Sequence, residues 1–151
     1  MKLIAKNKKA RHEYEILEKF EAGLVLQGNE VKALRAGRVN IGDAYCRFIK
    51  GELWLMNAHI GHMDTTNTYY ARDERAPRKL LLHKKELEKL FGKVSRDGLT
   101  IVPLMLYFNE RNRAKISIAL ARGKKLHDKR ETLKRRTMER EAAKAMKNRS
   151  Y

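Results

Sequence analysis

The chain has 151 residues, the usual size of one domain, and carries 35 Lys and Arg against 18 Asp and Glu, a formal net charge of +17. That excess points to a polyanionic partner, most simply nucleic acid and otherwise an acidic membrane surface. At 42% hydrophobic the chain can bury a core, which excludes wholesale disorder.

The longest apolar run, Ile101–Phe108, is far short of a membrane span. The polar, basic N-terminus predicts no secretory signal. A single cysteine, Cys46, excludes an internal disulfide and fits a reducing, cytoplasmic location as a small buried hydrophobe. The charge is uneven. Met1–Arg11 has five basic residues and no acid, and Arg122–Tyr151 has twelve basic and four acidic. Between them His12–Ala121 is close to balanced, with eighteen basic and fourteen acidic. The pattern predicts a folded domain over 1–122, with a short basic arm at 1–11, and a basic tail over 123–151.

In chain order, Tyr14, Ile16 and Phe20 share one face of a strand over Glu13–Phe20, and Leu24–Leu26 reads as a second strand. Gly28–Gly37 reads as a short helix, with Asn29 as N-cap, Val31 and Leu34 buried and Gly37 as the stop. Ala44–Ile49 and Leu53–Ile60 form a hairpin around Lys50-Gly51. Gly61–Lys79 reads as one long loop of functional character. A helix follows over His83–Phe91, stopped by Gly92.

Thr100–Phe108 places Val102, Leu104, Leu106 and Phe108 on one face and Ile101, Met105 and Tyr107 on the other, and Pro103 marks an edge or a bulge. Lys115–Ala121, with Ile116, Ile118 and Leu120 on one face, follows a hairpin at Asn109–Arg113. The expected fold is mainly β, a six-stranded antiparallel barrel with two to three flanking helices. The tail, rich in Lys, Arg, Glu and Ala, reads as disordered when free and helical when bound, or as a permanently docked helix.

No phosphate-binding loop or dinucleotide fingerprint is present. The three serines, Ser95, Ser117 and Ser150, offer little room for a nucleophilic triad. His59 and His62, with Asp64 the nearest acid, make a poor metal set, so no metal or cofactor is expected. What remains is a binding surface. Lys6–His12 is basic, Arg72, Arg75, Arg78 and Lys79 stud the long loop, and Lys84-Lys85 opens the next helix. Tyr69, Tyr70 and His12 add rings that can stack on bases.

Several segments together resemble the small protein B (SmpB) family, the bacterial tmRNA-binding proteins of trans-translation. They are Asn7–Tyr14, Glu21–Leu24, Gly28–Gly37, Arg78–Lys84, Leu106–Phe108 and Gly123–Arg130, in the family's order. The chain departs from the pattern at Ala33, where many members carry Ser, and at Asn29, where bulkier residues occur.

The resemblance implies an OB-fold barrel, no catalysis, and tmRNA contacts at Glu21, Leu81 and Lys115. Supporting contacts are implied at Lys9, Arg11, Lys32, Arg35, Arg78, Lys79 and Lys84, with His12 and His83 in the same segments. It implies that Gly123, Lys124, Lys125, His127, Asp128, Lys129 and Arg130 serve the ribosomal decoding centre, and that Met146 lies in the mRNA channel. Elongation factor Tu with alanyl-tmRNA is the implied further partner, the protein being a monomer without membrane contact. A structural protein of the ribosome and a small histidine-dependent RNA nuclease are the alternatives that the composition leaves open.

Overall fold

The computed structural model describes residues 1–62 and 73–124. In chain order these form β1 (Lys2–Lys6), α1 (Lys8–Glu13), β2 (Tyr14–Leu24), α2 (Gly28–Arg35), β3 (Val39–Asn40), β4 (Tyr45–Ile49), β5 (Glu52–Met56), β6 (His59–Ile60), β7 (Arg78–Leu81), α3 (Lys84–Asp97), β8 (Thr100–Phe108) and β9 (Ala114–Gly123). The fold is mainly β with three helices, and every pairing is antiparallel. Seven strands form one sheet in the order β1-β8-β9-β2-β7-β5-β4, and β3 pairs with β6. The long sheet curls so that β4 comes near β8, but no ladder joins them, and the barrel stays open.

Nine strands replace the six expected: β1, β3 and β7 are additional, Leu53–Ile60 divides into β5 and β6, and the first two expected strands merge into β2. The stretch expected as a basic arm is part of the sheet: β1 pairs with β8, and Asn7 N–H donates to the Leu104 carbonyl at 2.8 Å. β7 lies at the end of the stretch expected as loop. The two strands expected over Glu13–Leu26 are mostly one, running through Gly23. The N-cap of α2 is Gln27, whose N–H donates to Glu30 at 2.9 Å, and not Asn29. α3 passes Gly92 and ends at Gly98, whose left-handed φ of 68° suits glycine.

Bulges in three strands change which residues share a face, that of β1 falling between Leu3 and Ala5. Leu17 is the extra residue of β2 between Ile16 and Glu18, and Leu104 that of β8 between Pro103 and Met105. Pro103 therefore marks a bulge, as expected, but in an interior strand between β1 and β9. Ile101, Leu106 and Phe108 face the main core with Ile116, Ile118, Leu120 and Phe20. Val102 and Leu104 face the other way, with Ala119 and Ala121, and pack on Ala10 of α1 together with Tyr14 and Ile16. The faces expected for Glu13–Phe20 and Thr100–Phe108 each break at a bulge, because an added residue reverses the alternation.

One ion pair closes the core. Arg78 is fully buried, and its guanidinium donates through Nε and Nη2 to one Glu30 oxygen, at 3.0 and 2.6 Å. Its Nη1 donates to the carbonyls of Ala58 and Glu74, at 2.9 and 3.0 Å. Charge that is desolvated this far holds only because both partners are saturated. The Cys46 thiol packs against the same core, and burial pushes it up to about 12, leaving it protonated.

Candidate nucleic-acid interface

Strand alternation sends one side of the sheet outward, and register aligns its residues across strands. Leu3 of β1 lies opposite Tyr107 of β8, Tyr107 opposite Lys115 of β9, Lys115 opposite Gly23 of β2, and Gly23 opposite Leu81 of β7. Leu3 and Leu81 are about half exposed. The Lys115 ammonium and the Leu81 side chain close over the buried Gly23, where an added Cβ would lie 3.5–3.7 Å from both. Gly23, Leu81, Lys115, Val31 and Arg113 line a recess of about 360 Å³.

Glu21 sits two residues from Gly23 on the same side of β2, and the Tyr107 hydroxyl donates to its carboxylate. Burial first, and that carboxylate second, push the Tyr107 hydroxyl well above its ordinary value, so it remains a donor. Two sequence-predicted residues, Leu81 and Lys115, thus share a recess, with Glu21 fixed nearby by Tyr107. Arg35 joins them from α2, its guanidinium 5.1 Å from the ring centre of Phe108, which borders the recess. Arg113 and the anchoring role of Tyr107 were missed. The first lay in a segment read only as a turn, and the second needs a partner 86 residues away.

A second recess, of about 540 Å³, is lined by Lys6, Lys8, Arg11, His12 and Lys124, with no acid among its lining residues. Lys124 is fixed there, its ammonium donating to the Arg11 carbonyl at 2.5 Å and its N–H to the Glu13 carbonyl at 3.1 Å. Residues assigned from sequence to tmRNA (Arg11, His12) and to the ribosome (Lys124) therefore share one basic patch. Gly123, counted with the tail, is the last residue of β9.

The remaining residues scatter. Arg78 is the correction: read as a phosphate contact, it lies inside the core with no surface to offer. Lys9 pairs with Asp43 at 3.6 Å with both side chains well exposed, and Lys79 pairs with Glu52. Lys32 and Lys84 are exposed on α2 and α3. His83 is the N-cap of α3, its N–H donating to Glu86 at 3.3 Å. Ala33 is fully buried, so a serine hydroxyl at that position would face the core. Arg72, Tyr69, Tyr70, Lys125, His127, Asp128, Lys129, Arg130 and Met146 lie outside the described residues.

His59 Nε2 and His62 Nδ1 both approach Glu74, at 3.1 and 3.7 Å. The His62 N–H and His59 hold the Glu74 carboxyl below its usual range. Among the described residues no group of three or more His, Cys, Asp or Glu is arranged to hold a metal ion, and no helix is long and apolar enough to cross a membrane.

Residues 4–148 match the family model for SmpB protein. The chain belongs to the SmpB family. An SsrA-binding protein of Sulfurovum sp. (strain NBC37-1) is 73% identical to this SmpB chain over 149 residues, covering 99% of it and 97% of the relative. That of Campylobacter curvus (strain 525.92) is 63% identical over 147 residues, covering 97% and 98%. The fold is similar to a chain in the solved structure "tmRNA-SmpB: a journey to the center of the bacterial ribosome". That similarity has a TM-score of 0.64 at 54% identity, over 79% of this SmpB chain and 82% of the other.

Proposed function

We propose that this chain binds the tRNA-like domain of tmRNA and delivers it to stalled ribosomes for trans-translation. The observation that carries the reading is the recess of the outer sheet face. There an exposed Leu81 and the Lys115 ammonium meet over the buried Gly23, beside a Glu21 carboxylate held by Tyr107. Such a face offers RNA an apolar contact, a cation for phosphate, and an acceptor for a base or ribose donor. Membership of the SmpB family, with relatives named for binding SsrA, supports the same partner.

Lys9, Arg11, His12, Lys32, Arg35, Lys79, His83 and Lys84 serve as supporting contacts, and Arg78 supports the face from inside. The tail from Lys125 onward, with His127, Asp128, Lys129, Arg130 and Met146, occupies the decoding centre and the empty mRNA channel. Its root at Gly123 and Lys124 is set by the contacts of Lys124 with α1. The protein acts without catalysis, as a cytoplasmic monomer, on alanyl-tmRNA carried by elongation factor Tu.

Filter binding of tmRNA against a random RNA of equal length tests the reading. The expected result is a preference for tmRNA and a linear fall of log affinity with log salt, about 0.9 per phosphate neutralised for duplex contacts. Equal binding of both RNAs would refute it.

A further inference from the structure

The outer face continues beyond the recess. On β7, Lys79 lies two residues from Leu81 and so points the same way. Its cross-strand partner is Trp54 of β5, and the partner of Trp54 on the far side is Arg47 of β4. Leu53 and Leu55, on either side of Trp54 in sequence, are buried in the core, which sends the indole to the outer side. An indole thus sits in a row between two cationic side chains. Lys79 is paired with Glu52, whereas Arg47 is exposed and has no ionic partner among the described residues. Tyr45, on the same side of β4 as Arg47, adds a ring about half exposed.

The indole itself is partly buried. Its Nε1–H is shielded from solvent and meets no acceptor among the described residues. A donor closed to water is closed to a ligand oxygen as well, so what the residue offers outward is the exposed part of its ring. Aromatic rings interleaved with cations on an open sheet face match the chemistry of unpaired RNA. A base stacks on the ring and flanking phosphates meet the cations. A protein partner would be offered little apolar surface here, since Arg47 and Lys79 flank the ring.

We propose that the outer face of β4, β5 and β7 is a stacking seat for an unpaired nucleotide of the RNA bound at the neighbouring recess, with Trp54 as platform and Arg47 and Lys79 as phosphate contacts. The proposal rests on the tmRNA reading and adds a site to it. The occupant follows from continuity, because Lys79 and Leu81 belong to one side of one short strand.

Trp54 is the only tryptophan of the chain, so its emission reports on the seat directly. The full-length protein is titrated with tmRNA, and separately with a twelve-residue oligoadenylate, while emission and filter retention are recorded. Quenching by tmRNA with the same midpoint as retention is expected. Trp54→Leu, which keeps an apolar side chain but removes the ring, is expected to weaken tmRNA binding about tenfold or more, and Trp54→Phe to stay within about threefold.

Unchanged emission at saturating tmRNA, or full affinity in the Leu variant, would overturn the proposal. If tmRNA is not preferred over random RNA, the reading beneath fails, and the oligoadenylate then decides the seat alone. Quenching by it supports the seat, and no quenching overturns it.

Discussion

Arg78 and Lys79 are adjacent, both basic, and both begin β7, yet the inner and outer sides of that strand use them differently. The inner side takes Arg78 out of water, saturates it with Glu30 and two carbonyls, and converts its charge into core structure. The outer side leaves Lys79 half-buried in a salt-screened pair with Glu52. Within this short strand, a basic residue's role is set by the parity of its position. Basic segments of this protein therefore cannot be taken whole as binding surface.

Substitutions on the two sides should separate stability from affinity. The largest expected effect is Arg78→Ala, which strands Glu30 in the core and should lower unfolding free energy by about 3–5 kcal/mol in urea titrations. The double variant Arg78→Met/Glu30→Leu should recover most of that loss, since no uncompensated charge remains. A mild Arg78→Ala phenotype would mean that water reaches the pair, and the contrast between the two sides would weaken.

On the outer side, Lys115→Ala should move stability by no more than about 0.5 kcal/mol. It should still lower tmRNA affinity and reduce the salt slope by about one. A drop in melting temperature as large as that of Arg78→Ala would erase the distinction. Tyr107→Phe, which removes the donor to Glu21, should cost about 0.5–1.5 kcal/mol and loosen Glu21, seen as weaker tmRNA retention with little change of salt slope. Deleting 126–151 should leave tmRNA binding largely intact and abolish tagging of stalled nascent chains. Equal loss of both would contradict separate surfaces for tmRNA and ribosome.

The smallest effect concerns pH. The Glu74 carboxyl is held below its ordinary value of 4.5, chiefly by the His62 N–H and by His59. Its contribution to stability is therefore present above about pH 4.5 and is lost as pH falls through the lowered value. Urea melts between pH 6 and about pH 3 should show a slightly shallower decline for Glu74→Gln than for the parent chain.

Much of this was legible in the chain, for identifiable reasons. The helix over Gly28–Arg35, the hairpin around Lys50-Gly51 and the alternation of Ile116, Ile118 and Leu120 follow from periodicity, and periodicity is local. Leu81 and Lys115 came from resemblance, and the structure brings them to one recess. What was not legible depends on distant partners. β1 is a basic pentapeptide that becomes a strand only because β8 presents an edge. Arg78 looks like every other arginine of its segment until Glu30, 48 residues earlier, is placed beside it. The faces of β2 and β8 could not be assigned because alternation assumes an unbroken pleat, and each strand holds one extra residue.

Those extra residues, Leu17 and Leu104, make chain length as much a constraint here as composition. Both are bulges against or beside β9, and each reverses the phase of its strand, so that one stretch of sheet shows apolar groups to α1 and the next shows them to the main core. Deleting Leu17 would force a choice. Either Glu21 and Gly23 turn inward while Ala22 turns out, dismantling the recess, or Tyr14 and Ile16 leave α1 uncovered. A substitution at either position keeps the phase, whereas a single-codon deletion does not. These two sites should therefore tolerate exchange of side chain far better than loss of a residue.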